Sequence, residues 1–179
     1  RSLESAMAHD LISPSLESSA STLLVRDVAG SYRPAEPAEV LQAALRVLAD
    51  QLRGSEMLSS PQLVRDFLRI KLGTLEHEVF AVIHLDAQHR VIEYAEMFRG
   101  TVSQTSVYPR EIVKESLARN SAALVLVHNH PSGAAEPSRA DEALTQTLKN
   151  ALALVDVRVL DHLIVAGPTI LSFAEKGLL

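Results

Sequence analysis

His128 and His130 stand one residue apart at the end of an apolar run, in Val127-His128-Asn129-His130-Pro131-Ser132-Gly133. A short polar turn follows, and Pro137-Ser138-Arg139-Ala140-Asp141 then opens what reads as a helix. Imidazole nitrogen and carboxylate oxygen are ligands that hold Zn²⁺, and a catalytic site keeps three protein ligands with a fourth position open for water. His128, His130 and Asp141 make such a set and point to a metal-dependent hydrolase. Two histidines alone would arise often by chance; the third ligand gives the pattern its weight.

The elements that must position these residues follow from periodicity. Ala122 to Val127 is a continuous apolar run rich in Val and Leu, so it reads as a buried strand whose side chains alternate with period two. His128 and His130 therefore leave on one face. Pro131-Ser132-Gly133 ends the strand, and Asp141, one turn into the next helix, can point back at the strand tip. Ser138-Arg139-Ala140-Asp141 resembles a capping box with Asp in place of the usual Glu or Gln, which gives the Ser138 hydroxyl a capping role.

His128-Asn129-His130-Pro131, with Ser138 and Asp141 at this spacing, resembles the JAMM motif of the JAB1/MPN metalloproteases. Much of the chain is also similar to the RadC-type bacterial branch of that superfamily. The supporting segments are LEHEVFAVIHLD (Leu75 to Asp86), FRGT (Phe98 to Thr101), VYPREIVKESL (Val107 to Leu117), LVHNHPSG (Leu126 to Gly133) and LVDVRVLDHLIV (Leu154 to Val165). The closing SFAEKGLL (Ser172 to Leu179) looks most like the short RadC relatives of prophages and mobile elements.

The resemblance implies an α/β fold of the JAB1/MPN, cytidine-deaminase-like type, a layered sheet flanked by helices. It implies Zn²⁺ as cofactor, held by His128, His130 and Asp141, and hydrolysis of peptide or isopeptide bonds in a peptide or protein substrate. In that family a Glu at the start of an early core strand is the general base, and Glu78 in Glu78-Val79-Phe80-Ala81-Val82-Ile83 is the matching position. Glu76 is its rival: it shares the strand face by parity but sits before the apolar run, where it is more solvated. Either can equally be a surface carboxylate at a strand entrance. Ser138, by the same resemblance, would help stabilise the tetrahedral oxyanion or orient the water. His162, after a second apolar strand, reads first as a satisfied core histidine and second as a hydrogen-bonding partner behind the site. His84 and His89 flank a hairpin turn and read as ordinary strand and turn residues, while His9 and His77 carry no case.

Composition limits the alternatives. The chain of 179 residues is 47% hydrophobic, enough for one well-buried domain. It has no cysteine, which excludes disulfides, thiolate ligands and the zinc deaminases that need a Pro-Cys-x-x-Cys segment. No apolar run reaches the roughly 18 to 20 residues of a membrane span and no secretory leader is visible, so a bacterial cytoplasm is the expected location. The RadC name carries a historical link to DNA repair, which makes nucleic-acid binding the second function class. A net charge of −5 speaks against it. Arg65, Arg69 and Lys71 cluster, but on a helix they read as a solvated face. The helix-hairpin-helix region of longer RadC relatives is not seen here. A non-catalytic scaffold is the third class; inactive members of the superfamily generally lose metal ligands, and this chain keeps the whole set.

Three regions are expected. Residues 1–36 form an extended N-terminal arm, with Arg1 to Ala6 vector-derived, Met7 the natural start and one short strand in TLLVRDV. Residues 37–55 form an N-terminal helix in which Leu41, Leu45, Leu48 and Leu52 recur behind Pro37, with Gly54 as stop. Residues 56–179 form the RadC-like JAB/MPN domain. Its expected elements are a helix from Ser60 and Pro61 with Leu63, Val64, Phe67 and Leu68 on its apolar face, and strands at 79–85 and 90–98. A segment through Val107, a helix from Pro109 to Arg119, the strand to Val127 and a helix from Ser138 to about Leu152 follow, then strands at 157–165 and 169–173. Strands and helices in this order argue a layered α/β domain.

Overall fold

Residues 23–57, 61–100 and 106–179 are described by the computed structural model. The readings placed on Arg1 to Ala6, Met7 and His9, on Ser60 as a helix start and on residues 101–105 lie outside the described residues. Two units divide the chain, residues 1–40 and 41–179.

In the first unit, β1 (Leu24–Arg26) and β2 (Tyr32–Pro34) pair antiparallel, where the sequence reading expects one short strand. The turn between them explains the second strand. Asp27 accepts the Ser31 N–H on its side chain at 2.8 Å, and Gly30 N–H closes back on the Asp27 carbonyl at 3.1 Å. Arg33 grips Glu39 with both guanidinium nitrogens, at 2.8 and 2.7 Å. Glu39 lies in the first turn of helix α1 (Pro37–Leu52).

The second unit is built on a five-stranded sheet. After α2 (Pro61–Leu72) come β3 (Val79–Leu85), β4 (Val91–Arg99), α3 (Pro109–Ala118), β5 (Ala123–Asn129), α4 (Arg139–Ala153), β6 (Arg158–Ala166), β7 (Thr169–Ser172) and α5 (Phe173–Lys176). The strand order is β4-β3-β5-β6-β7, antiparallel throughout except for β5 and β6. A parallel pair needs a crossover, and α4 supplies it. All seven residues of β3 and of β5 are buried, as expected of strands covered on both faces.

Period-two alternation sorts the core into two layers. Val79, Ala81, Ile83 and Leu85 of β3 join Val125 and Val127 of β5 beneath Val64, Phe67, Leu68 and Leu72 of α2. Phe80 and Val82, with Leu124 and Leu126, face Ile112 of α3 and Leu148 and Leu152 of α4. The layered sheet flanked by helices is the architecture the sequence implies.

The structure moves several boundaries. β5 runs on to Asn129 instead of ending at Val127, because β6 continues to pair with it: His128 lies opposite Ile164 and Asn129 opposite Val165. Ser138 is the N-cap, so α4 starts at Arg139, and α3 stops at Ala118 with Arg119 as C-cap. The last strand ends at Ser172, and a short helix that the sequence reading lacks follows. Ser172 caps it by accepting the Glu175 N–H, and Gly177 closes it in the left-handed conformation at φ 70°.

Candidate metal centre

Strand β5 and helix α4 bring the three expected ligands together. His128 Nε2 lies 3.0 Å from His130 Nε2 and 3.3 Å from Asp141 Oδ1, and His130 Nε2 lies 3.6 Å from Asp141 Oδ2. A tetrahedral ion with bonds of about 2.0 to 2.1 Å sets its ligand atoms about 3.3 Å apart. The two Asp141 distances run to different carboxylate oxygens, and one ligand atom from each residue lies within 4.8 Å of the others, a grouping that could hold a metal ion. His128 is 1% exposed, whereas His130 and Asp141 reach the surface. One side of the triangle is therefore sealed in the core and the other opens to solvent.

Each ligand is held from behind. His128 shares a strand face with Leu124 and Leu126, and its ring stacks on Phe80 with centroids 6.4 Å apart. Its Nδ1 meets His162 Nε2 at 2.8 Å, and His162 Nδ1 meets Thr145 Oγ1 at 2.6 Å. His162 is thus both a satisfied core histidine and a partner of the site. The His130 backbone N–H bonds the Val165 carbonyl at 2.8 Å, continuing the sheet one residue past β5. Its ring Nδ1 meets the Ala134 carbonyl at 2.8 Å, within the turn that Gly133 makes at φ 77°. A carbonyl only accepts, so that nitrogen carries the proton, and in the neutral ring Nε2 is bare. Asp141 takes the Ser138 backbone N–H and hydroxyl on Oδ2, both at 2.7 Å, while its own N–H bonds Ser138 Oγ at 3.1 Å. The expected capping box is present, and its carboxylate is also the third candidate ligand.

Burial alone would raise the Asp141 carboxyl, but the His128, His130 and Ser138 side chains against it hold it well below the usual carboxylate range. The same contact with Asp141 raises His130 above its ordinary value, against the desolvation that opposes it. Desolvation pushes His162 well below the ordinary histidine value, so it is neutral.

A cleft of about 570 Å³ lies over the ligands, lined among others by Glu78, Val107, Glu136, Ser138 and Leu144. Glu78 precedes β3 and lines the cleft with the ligands. Glu76 is exposed and does not line it. The device that places Glu78 is Asn129. By alternation it leaves β5 on the face opposite the two histidines; its Oδ1 accepts the Val79 N–H at 2.8 Å and its Nδ2 donates to the His77 carbonyl at 3.0 Å. Both residues flanking Glu78 are thereby clamped, and the Gly100 N–H bonds the Glu78 carbonyl at 2.8 Å. The sequence reading assigns Asn129 no role, although its place between the two histidines, facing the other way, is a legible signal. Thr145, one helical turn beyond Asp141, is likewise unread there.

The other candidates lie elsewhere. His84 is buried, bonded through Nδ1 to Ser121 Oγ at 2.8 Å, and its Nε2 has no hydrogen-bond partner among the described residues. Desolvation lowers it to about 4. His89 takes the turn conformation at φ 59°. Arg65, Arg69 and Lys71 are more than a solvated face: each is ion-paired, to Glu175, Asp66 and Glu96 at 2.6, 2.9 and 2.8 Å. Among the described residues no helix is long and apolar enough to cross a membrane.

Comparison with known proteins agrees with this geometry. The RadC-like JAB domain family matches residues 58–178. A UPF0758 protein of Leptothrix cholodnii is 61% identical over 150 residues, 84% of this chain and 68% of that protein. A UPF0758 protein of Methylibium petroleiphilum is 60% identical over the same shares of both chains, and one of Nitrosomonas eutropha is 55% identical over 84% of this chain and 67% of its own. The chain spans about two thirds of these relatives, and it belongs to the RadC-like JAB domain family.

Proposed function

We propose that this chain is a zinc-dependent metallopeptidase of the JAMM type, hydrolysing a peptide or isopeptide bond. The observation that carries the reading is the gathering of His128, His130 and Asp141 in an open cleft, with the two Nε2 atoms 3.0 Å apart and Asp141 carboxylate oxygens 3.3 and 3.6 Å from them. When bound there, zinc would lower the pKa of a water to about 7 and polarise the scissile carbonyl.

The chain's own residues do the rest. Glu78, fixed by the Asn129 clamp, takes the proton of the attacking water and returns it to the leaving amine. Ser138 gives its hydroxyl proton to Asp141 Oδ2 in the resting site. Rotation about its C–O bond directs that proton to the developing oxyanion. Among the described residues the cleft lining includes Glu78, Glu136 and Asp141 but neither Lys nor Arg, so it offers a phosphodiester no cationic side chain.

The test is zinc per chain by elemental analysis, on wild type and on a His128→Ala, Asp141→Ala double variant. About one zinc in wild type and almost none in the variant is expected and opens a peptide-substrate screen. Equal, negligible zinc in both after incubation with added metal would overturn the reading and leave a scaffold role.

A further inference from the structure

Behind His128 runs a chain of hydrogen bonds whose direction the structure determines. Thr145 Oγ1 lies 2.6 Å from the Asp141 backbone carbonyl. A carbonyl has no proton to give, so the single Thr145 hydroxyl proton is spent there. Thr145 Oγ1 must then accept from His162 Nδ1, 2.6 Å away. With its proton on Nδ1, neutral His162 has a bare Nε2, which accepts from His128 Nδ1 at 2.8 Å. His128 is therefore protonated on Nδ1, and Nε2, the atom that faces His130 and Asp141, is the nitrogen left for a cation.

Solvent cannot reverse this order. His162 is fully buried and Thr145 is 1% exposed. The Phe173 and Phe80 rings wall His162 in, with centroids 4.7 and 5.8 Å away. The chain also closes on itself: it starts at one ligand on β5, passes through β6, and ends on the backbone of another ligand on α4.

We propose that Thr145 and His162 are positioning residues acting in series, which lock His128 in its Nδ1–H tautomer and so present its Nε2 lone pair to the cation. The proposal rests on the metal reading above for the identity of what is presented, but the tautomer can be read without metal. Removing the Thr145 hydroxyl leaves His162 Nδ1–H buried without an acceptor. His162 then moves its proton to Nε2, where it confronts His128 Nδ1, and His128 responds by placing its own proton on the ligand nitrogen.

The experiment uses ¹⁵N-histidine-labelled chain, with long-range ¹⁵N–¹H correlation of the metal-free protein and zinc affinity by chelator competition. In wild type, His128 and His162 should both be Nδ1–H tautomers. Thr145→Val should shift His162 to Nε2–H and weaken zinc binding about 10- to 100-fold. Thr145→Ser, which keeps the hydroxyl, should retain the wild-type tautomers and most of the affinity. His162→Gln, which can still accept from His128, should bind zinc more tightly than His162→Leu. A wild-type His128 with Nδ1 bare would overturn the proposal, as would unchanged zinc affinity in Thr145→Val. The wild-type spectra decide the matter even if Thr145→Val fails to fold. Wild type without zinc affinity but with both rings as Nδ1–H would sink the metal reading and leave the wiring standing.

Discussion

On the proposed reading Glu78 is the general base and Asp141 a metal ligand in the same cleft, and single substitutions separate the two roles. Glu78→Gln keeps size and backbone clamp but removes the base, so turnover of a cleaved peptide should fall at least 100-fold, with zinc content unchanged by elemental analysis. Asp141→Ala removes a ligand and should lose zinc and turnover together; full zinc in that variant would sink the assignment. His84 answers to pH. Its folded value of about 4 lies below the ordinary 6.5, so the unfolded chain takes up the proton first. The stability it contributes is complete above about pH 6.5 and is lost as pH falls toward 4. His162 is depressed too and adds slope in the acid direction, while raised His130 works the opposite way. Thermal melts between pH 6.5 and 4 should therefore fall in wild type and flatten, without becoming level, in His84→Asn.

Elements depend on contacts at their ends. Ser138 caps α4 through its hydroxyl, so Ser138→Ala should cost about 1 kcal/mol of unfolding free energy, within the usual 0.5 to 2. Ser138→Thr, which can keep the cap, should recover most of it in a urea titration. Any turnover lost in both variants then belongs to chemistry and not to the helix. At the end of α2, Gly73 is pressed against the β6–β7 turn: an added Cβ would lie 2.5 Å from the Arg69 carbonyl oxygen and 2.8 Å from that of Gly167. Neither backbone oxygen can yield cheaply. Gly73→Ala should cost about 1 to 3 kcal/mol, read as a lower urea midpoint at unchanged slope.

At the scale of the molecule, a cation at the candidate metal centre would staple β5 to α4. Its ligands come from β5, the segment just past it, and α4, and they are backed by β6. A cation that binds only this folded arrangement stabilises it by mass action. Free zinc at about 100 times its dissociation constant adds about 2.7 kcal/mol. For a chain of this size that raises the melting temperature by about 5 to 10 °C. Chelator should reverse the gain, and the His128→Ala, Asp141→Ala variant should show none; an equal gain in that variant would place the zinc elsewhere.

The sequence by itself determined the parts governed by local spacing. Strand alternation put His128 and His130 on one face, the Ser138-to-Asp141 spacing made a capping box, and the apolar runs became buried strands in a layered α/β fold. It also read Glu76 as the more solvated of the two glutamates, because the apolar run begins at Val79, and Glu76 is exposed where Glu78 is half-buried. Strand ends were misread by two residues at β5, since pairing with β6 and not local composition decides where that strand stops. Only the tertiary structure decided what depends on residues distant in sequence. Asn129 holds the backbone around Glu78 across 50 residues of chain, and His162 reaches His128 across 34. Those partners are chosen by sheet register and burial, which no local pattern records. Within the core, where water is excluded, they determine which nitrogen carries a proton and which is left to bind a cation.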